Sequence, residues 1–249
     1  DALACGYRMI DTAQAYMNER AVGRGVKKIR GGKRGHFHLD QNMGEPVSDR
    51  GNGRKEPGTA WNRLHRSDVY PSAGRRLHGR LPQTGKSVQR GKIKAIGISN
   101  FQGEKLKKLL EECEIKPHVI QMEAHPYYRD EETISALAPC GCRVMAWYPL
   151  GHGDHALLEE PIVKELAEKY EKSTAQVILR WHTQVGNIVI PGSTNPEHIK
   201  ANLDIFGFEL TDEEMKKMEG LNKNVRYYYP DEEKLAAYVN MKIDLDSQK

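Results

Sequence analysis

The fold is decided by a ten-residue stretch near the start of the chain, Tyr7-Arg8-Met9-Ile10-Asp11-Thr12-Ala13-Gln14-Ala15-Tyr16. The apolar pair Met9-Ile10 is typical of the end of a short buried strand, and Asp11-Thr12 follows where a strand gives way to a loop. Tyr16 stands just before a helix predicted over residues 18–28. The pattern therefore places an acid and a phenol near the carboxyl end of one strand, where α/β folds carry their chemistry.

Beyond Gly91 the sequence alternates regularly between apolar segments and helical patterns. Buried strands are predicted at residues 93–98, 119–122, 144–147 and 188–190, and helices at residues 104–113, 131–138, 161–170, 174–183 and 196–203. A capping box at Thr211-Asp212-Glu213-Glu214 begins one more helix, and the first six residues are typical of the end of a helix already under way. Alternation at this spacing predicts a parallel sheet with crossover helices.

Length and composition set bounds on the class of protein. The chain has 249 residues and a mass of 28.3 kDa, and a single (β/α)8 barrel is commonly about this long. Its mean hydropathy of -0.70 is low for such a barrel. No apolar run approaches the roughly 18 residues that span a bilayer, and no signal peptide is visible. The four cysteines show neither a disulfide framework nor zinc spacing, so we expect reduced thiols in a cytoplasmic protein.

The opening stretch carries a family signature when it is extended to Glu19. The string Gly6-Tyr7-Arg8-x-Ile10-Asp11-Thr12-Ala13-x-x-Tyr16-x-Asn18-Glu19 resembles the catalytic Asp/Tyr segment of the aldo-keto reductases. The resemblance implies a (β/α)8 barrel and NAD(P)H-dependent reduction of aldehydes or ketones to alcohols. It assigns catalytic roles to Asp11 and Tyr16, with Tyr16 as the general acid that protonates the carbonyl oxygen.

Two later strand ends resemble the part of the family that binds the nicotinamide carboxamide. Gly97-Ile98-Ser99-Asn100-Phe101 is similar to the motif whose Ser and Asn hydrogen-bond that group, although Ser-Asn after a strand is more often a helix cap. Gln121-x-Glu123-x-His125-Pro126 is similar to the next strand end, where the Gln completes the carboxamide site. His125 is interpreted as structural rather than as a ligand.

Two further strand ends resemble the segments that bind the rest of the dinucleotide. Ala146-Trp147-Tyr148-Pro149-Leu150-Gly151 resembles the segment that puts an aromatic ring under the nicotinamide. Trp147 is then the stacking residue, and Leu150 and Gly151 lie near the pyrophosphate. The loop and helix start that hold the adenosine phosphate are matched by Ser193, Thr194, His198 and Asn202, and a helix N-terminus with free amides suits an anion.

The segment that resembles the adenosine-phosphate site departs from the commoner pattern of the family. Gly192 stands where a Lys is frequent, His198 where an Arg is frequent, and Ala201 replaces an acidic or amide residue. Fewer cations facing a 2'-phosphate weaken the case for NADPH over NADH. The resemblance still implies NADPH as the cofactor, and the missing cations leave NADH as the alternative. There is no G-x-G-x-x-G fingerprint of a Rossmann domain and no cluster of metal ligands, so no metal site is predicted.

Residues 30–90 break the regular pattern. They contain 13 Lys and Arg against 5 Asp and Glu, ten of the 23 glycines and no isoleucine. A barrel should have two strands here, and the sequence shows the pattern of neither. One interpretation is a disordered basic insert. Another is a nucleic-acid patch, in which Arg30-Gly31-Gly32-Lys33-Arg34-Gly35 and Arg75-Arg76 contact phosphates.

A third interpretation, which we favour, is a shifted reading frame over about residues 29–90. We moved the reading frame one nucleotide forward and allowed any synonymous codon for each printed residue. In this frame residues 36–44 can encode Ile-Phe-Ile-Ser-Thr-Lys-Ile-Trp, and residues 63–74 can encode Asp-Tyr-Ile-Asp-Leu-Met-Tyr-Ile-His-Gln-Pro. These peptides resemble the Lys-bearing and His-bearing strands of the reductases, in the right order. Our hypothesis is an N-terminally truncated relative that lacks the first strand, has strands three and four scrambled, and regains its frame just before Gly91.

The scrambled segment matters for the implied mechanism. A free tyrosine has a pKa of about 10, so the family pairs its tyrosine with a lysine held by the aspartate, and a histidine helps to orient the carbonyl. The expected places of this lysine and histidine fall around residues 41–42 and 71–72, and neither residue type stands there. Positioned acid–base groups contribute on the order of 10²–10⁴ in rate. We therefore expect this chain to be nearly inactive.

Three functional hypotheses follow. The chain is a carbonyl reductase on a single barrel domain over residues 1–249, a catalytically dead cofactor-binding or non-functional relative, or, least favoured, a basic RNA-binding module. The first implies a small-molecule carbonyl substrate and no nucleic acid, membrane or specific protein partner. It also implies strand ends that converge on one dinucleotide, those bearing Asp11, Asn100, Gln121, Trp147 and Ser193. The aromatic run at residues 227–229 either lines a pocket or packs on the barrel rim.

Overall fold

The computed structural model describes residues 1–13, 16–29, 37–41, 66–70 and 93–229. In these ranges the strands are β1 (Met9–Ala13), β2 (Phe37–Gln41), β3 (Arg66–Tyr70), β4 (Ile93–Ser99), β5 (Val119–Glu123), β6 (Arg143–Trp147) and β7 (Ile188–Val189). The α-helices are α1 (Ala2–Cys5), α2 (Glu19–Ile29), α3 (Gly103–Glu112), α4 (Glu131–Leu137), α5 (His155–Leu158), α6 (Pro161–Tyr170), α7 (Thr174–Gln184), α8 (Pro196–Leu203) and α9 (Asp212–Glu219). No helix among these residues is long and apolar enough to cross a membrane.

The chain divides into two compact units. The first, called here the N-terminal unit, contains residues 8–120, and the second, the C-terminal unit, contains residues 1–7 and 121–229. The boundary falls within β5. The expectation of a single domain over residues 1–249 stays a prediction.

The N-terminal unit is built on four parallel strands that pair in sequence order. β1 pairs with β2, with Asp11 opposite Leu39, and β2 pairs with β3, with Asp40 opposite Asp68. β3 pairs with β4 after a register shift at its first residues. Ile96 and Ile98 of β4 are buried, as are Phe101, Leu106 and Leu109 in the segment that follows. Parallel pairing agrees with the parallel sheet that the alternating pattern predicted.

Two strands lie in the basic segment, where the sequence alone shows none. β2 and β3 fall inside residues 36–44 and 63–74, the two stretches that the shifted frame turns into strand-like peptides. Neither strand contains proline or glycine, and main-chain groups alone make a parallel ladder. β2 and β3 can therefore pair between β1 and β4, although their residues have weak strand propensity.

The C-terminal unit has a helical core around Trp181. Its buried apolar side chains come from α5, α6, α7 and α9 and from the segments next to them: Tyr127, Leu157, Val163, Leu166, Ala167, Val177, Ile178, Trp181, Leu210 and Met218. Capping boxes begin two of these helices, at Ser173 and at Thr211, and the second confirms the sequence prediction. β6 and β7 pair in parallel, with Ala146 opposite Val189.

Candidate active site

The acid and the phenol lie where β1 gives way to α2 in the N-terminal unit. Asp11 is a residue of β1, and the buried Thr12 beside it donates a hydrogen bond from Oγ1 to Asn18 Oδ1 at 2.6 Å. This bond ties the strand end to the residue before α2. Tyr16 lies within the segment that the bond closes, and 58% of its surface is exposed.

Ser99 and Asn100 mark the end of β4. Ser99 is the last residue of the strand and is buried. Asn100 turns the chain with a φ of 56°, in the left-handed region that asparagine tolerates better than most residues. The N-cap of α3 is Gln102. The alternative that Ser-Asn caps the following helix is therefore wrong.

Gln121 and Trp147 lie on neighbouring strands of the C-terminal unit. β5 and β6 are adjacent, and the Ala124 N–H donates to the Trp147 carbonyl at 3.3 Å just beyond the strand ends. Gln121 is almost fully buried, whereas the Trp147 indole is half-buried. The amide and the aromatic ring that sequence analysis assigned to the nicotinamide therefore come from adjacent strands.

A buried histidine that the sequence did not single out fixes the loop after β6. His182 of α7 donates from Nε2 to the Pro149 carbonyl at 3.0 Å, and its Nδ1 accepts from Asn187 Nδ2 at 3.1 Å. These two bonds define a neutral ring with its proton on Nε2. Burial lowers the pKa of His182 to about 3, although the bond to Pro149 works in the opposite direction. The loop that carries Leu150 is thus held to a helix of the core.

Gly151 occupies a place that only glycine fits. Its φ is 70°, and an added Cβ would lie 2.9 Å from Leu157 Cδ2 and 3.2 Å from Tyr227 Cε2. The Tyr227 hydroxyl donates to the Asp154 carboxylate. That hydrogen bond is the main reason why the pKa of Asp154 is lowered, while burial and then Asp154 raise the pKa of Tyr227. The main chain at Leu150 and Gly151 is therefore fixed on both sides, which suits a close approach to a pyrophosphate.

Of the residues assigned to the adenosine phosphate, Ser193 and Thr194 lie between β7 and α8, and His198 and Asn202 lie within α8. Ser193 Oγ accepts from the Asn195 N–H at 3.1 Å, and Asn195 caps α8 by accepting from the Glu197 N–H at 2.9 Å. Thr194 and His198 are exposed, while Asn202, one turn further along α8, is buried. The start of α8 is accessible to a phosphate.

Glu123 is a buried carboxylate that accepts three hydrogen bonds, and the sequence analysis gave it no role. It is fully buried, and it accepts from His125 Nε2 at 3.1 Å and from the main-chain N–H groups of Tyr227 and Tyr228. Burial works to raise the pKa of Glu123, but these hydrogen bonds outweigh it, and the pKa is lowered. His125 is buried in this network, in agreement with its interpretation as a structural residue. The signal in the sequence was the alternation Gln121-x-Glu123-x-His125, which aims all three side chains at one face of β5 and its extension.

The expected places of the catalytic lysine and histidine coincide with the ends of β2 and β3. β2 ends at Gln41 and β3 at Tyr70. The other positions in question, 42, 71 and 72, lie outside the described residues. The strands therefore end where the family resemblance requires, but Gln41 stands at the first place instead of a lysine.

The chain was then compared with known proteins. The Aldo/keto reductase family profile matches residues 85–223. An aldo-keto reductase of Mycolicibacterium smegmatis is 36% identical and is matched over 90% of this chain and 83% of that protein. Among solved structures, an aldo/keto reductase from Brucella melitensis is 32% identical with a TM-score of 0.74, covering 89% of this chain and 87% of that one. The Bombyx mori aldo-keto reductase in complex with NADP is 26% identical with a TM-score of 0.73, covering 90% and 81%.

These similarities and the parallel α/β architecture define an oxidoreductase. The chain belongs to the aldo-keto reductase family, which confirms the resemblance seen in the sequence. The solved relatives are (β/α)8 barrels, and the parallel strands described above agree with an incomplete barrel of this kind. The family reduces carbonyl groups with a nicotinamide cofactor, which favours the first two functional hypotheses over an RNA-binding module. The profile match begins at residue 85, close to the point where the frame is expected to be regained.

Proposed function

We propose that this chain binds NADPH and reduces aldehydes or ketones to alcohols, with Tyr16 as the general acid, at a rate far below that of a complete family member. NADPH supplies the hydride when it is bound. The substrate is a small carbonyl compound. The proposal places the side chains of Gln121, Trp147 and Ser193, all in the C-terminal unit, around one dinucleotide.

One observation carries the cofactor assignment. Three neighbouring strands of the C-terminal unit carry, in order, a buried amide, a half-buried indole followed by a glycine turn, and a loop that leads to an accessible helix start. Gln121 suits a carboxamide. Trp147 suits a planar ring, and Leu150 and Gly151 suit a pyrophosphate. The residues that suit a phosphate are Ser193, Thr194, His198 and Asn202. The family resemblance also assigns carboxamide binding to Ser99 and Asn100, which lie at the end of β4 in the N-terminal unit.

The proton comes from Tyr16 in this proposal. An unassisted phenol is fully protonated at neutral pH and is a poor acid there, so it delivers a proton slowly unless a neighbouring cation lowers its pKa. Asp11, on the strand that leads to Tyr16, is the residue that would hold such a cation. With Gln41 at the end of β2, no ammonium group is supplied from that position, and a rate lower by a factor on the order of 10²–10⁴ is expected.

Carbonyl-dependent oxidation of NADPH tests the proposal. A panel of aldehydes is assayed with the wild-type chain, with Tyr16→Phe and with Tyr229→Phe, a control at an exposed tyrosine. We expect slow, saturable turnover that is lost in Tyr16→Phe, kept in Tyr229→Phe, and accompanied by NADPH binding in all three proteins. Equal turnover in Tyr16→Phe would contradict the role of Tyr16.

The second candidate function is binding of the cofactor without turnover. Gln41 at the end of β2 favours it, because the cation that activates the phenol is then missing. Saturable NADPH binding together with no turnover on any aldehyde of the panel would select this candidate.

A further inference from the structure

The C-terminal segment of the described chain is anchored on one buried carboxylate. The N–H groups of Tyr227 and Tyr228 both donate to Glu123, at 2.5 and 3.2 Å, and the Arg226 guanidinium lies 3.8 Å from the same group. Just before them, the N–H groups of Lys223 and Val225 donate to the Tyr127 carbonyl. Residues 223–228, which have no regular secondary structure, are therefore held in place by hydrogen bonds to the Glu123 carboxylate and the Tyr127 carbonyl.

This anchored segment reaches the ring that is proposed to stack on the nicotinamide. The Tyr228 ring lies 5.5 Å from the Trp147 ring with an interplanar angle of 80°, and the Tyr148 ring contacts Trp147 at 4.6 Å and 75°. Near-perpendicular aromatic contacts at these distances are favourable and restrict ring orientation. The Trp147 indole is thus oriented by one ring on its own loop and by one ring from the far C-terminal segment.

We propose that Glu123 and Tyr228 are positioning residues for cofactor binding: Glu123 fixes residues 226–228, and Tyr228 sets the orientation of the Trp147 indole. The inference rests on the proposed function, because it concerns the ring assigned to the nicotinamide. Neither residue contacts the cofactor in this scheme. Tyr228 acts through Trp147, and Glu123 acts through Tyr228.

The position of Glu123 explains why a buried carboxylate is retained here. A buried charge is costly unless hydrogen bonds surround it, and four donor groups from His125, Arg226, Tyr227 and Tyr228 approach this one. Two of them are main-chain N–H groups on consecutive residues, which a neutral amide side chain cannot satisfy equally well. The carboxylate therefore fixes the path of the main chain at Tyr228 and, through it, the place of the ring.

The test measures NADPH affinity, by the change in NADPH fluorescence, in the variants Tyr228→Leu and Tyr228→Phe. Tyr229→Leu is the matched control, because it removes the neighbouring ring, which is exposed. We expect Tyr228→Leu to weaken binding by about three- to tenfold, the loss of one aromatic pair, while Tyr228→Phe and Tyr229→Leu bind as the wild type does. In the near-ultraviolet circular dichroism of the free protein, the long-wavelength tryptophan bands should change in Tyr228→Leu only, since Tyr228 contacts the Trp147 ring.

A double-mutant cycle with Glu123→Gln tests the order of action. If Glu123 acts through Tyr228, the Glu123→Gln substitution weakens NADPH binding in the wild-type background and has little further effect in Tyr228→Leu. Wild-type affinity in Tyr228→Leu, or additive effects of the two substitutions, would overturn the inference and leave the proposed function standing. A wild-type chain that does not bind NADPH would overturn both.

Discussion

Gly192 and His198 are the residues through which the chain chooses between the two nicotinamide cofactors in the proposed function. Both lie near the start of α8, where the helix dipole favours an anion, yet neither residue supplies the permanent cation that is frequent in the family. Glu197 adds a carboxylate to the first turn of the same helix. The structure also leaves room for a longer side chain, because no heavy atom lies within 4 Å of the place where a Cβ on Gly192 would sit.

The substitution Gly192→Lys should therefore strengthen the binding of NADPH. An ammonium group beside the 2'-phosphate makes a charge-assisted hydrogen bond, and we expect about tenfold tighter binding of NADPH. The affinity for NADH, which has no 2'-phosphate, should change little. Fluorescence titration with both cofactors measures the effect, and Gly207→Lys, at another glycine with open space around it, is the control. An equal gain for NADH would show that the phosphate is not bound at this place.

At the scale of elements, α7 and the loop after β6 depend on each other through His182. The neutral ring joins the Pro149 carbonyl to the core helix that also contributes Val177, Ile178 and Trp181 to the apolar cluster. A charged ring cannot be accommodated there without loss of the bond from Asn187, because both ring nitrogens would then be donors.

The dependence of stability on pH follows from this arrangement. The His182 ring protonates near its ordinary pKa of 6.5 in the unfolded chain and near 3 in the folded chain. Between these values the unfolded state binds the extra proton, so lowering the pH through this window destabilises the fold by about 1.4 kcal/mol for each pH unit, whereas the contribution is constant above it.

His182→Gln keeps a donor for Pro149 and removes the titration. We expect its free energy of unfolding in urea to fall less steeply with acid than that of the wild type. The exposed His155→Gln is the control, and parallel curves for wild type and His182→Gln would contradict the account.

The elements that the sequence predicted are those whose signals are local. α8 has the predicted bounds because Asn195 and Pro196 mark its start, and α9 begins where the capping box at Thr211 predicts. β7 ends one residue earlier than predicted, at Val189, since Ile190 precedes a proline that has no N–H to pair. The sequence did not predict β2 and β3, because main-chain groups make their pairing and the side chains show no strand pattern. The roles of Glu123 and His182 were equally hidden, because their partners lie about 100 and 33 residues away along the chain.

At the scale of the whole molecule, the frame hypothesis links the basic segment to the missing chemistry. β2 and β3 stand where the family needs strands, and the profile match begins only at residue 85. Under this hypothesis the chain has the architecture of a reductase and lacks two of its catalytic side chains. The nucleotide sequence is the direct check, because codons that cannot yield the two strand-like peptides one base forward would exclude the hypothesis.

Restoring the frame should restore activity. In a chain that carries the shifted-frame peptides at residues 36–44 and 63–74, a lysine and a histidine return to the ends of β2 and β3. We expect carbonyl reduction to rise by a factor on the order of 10²–10⁴, while NADPH affinity changes less, because the proposed cofactor residues lie elsewhere. Exchanging the restored lysine for methionine should remove most of the gain. A gain that survives that exchange would show that the lysine is not the activating group.

The proposed function requires a dinucleotide site in this chain, and calorimetric titration of the wild-type chain with NADPH measures binding to that site without any assay of turnover. We expect saturable binding of one NADPH per chain, weakened by Trp147→Leu and by Gln121→Ala, which remove the proposed stacking ring and the proposed carboxamide partner. Absence of binding, or binding that neither substitution affects, would contradict the proposed site.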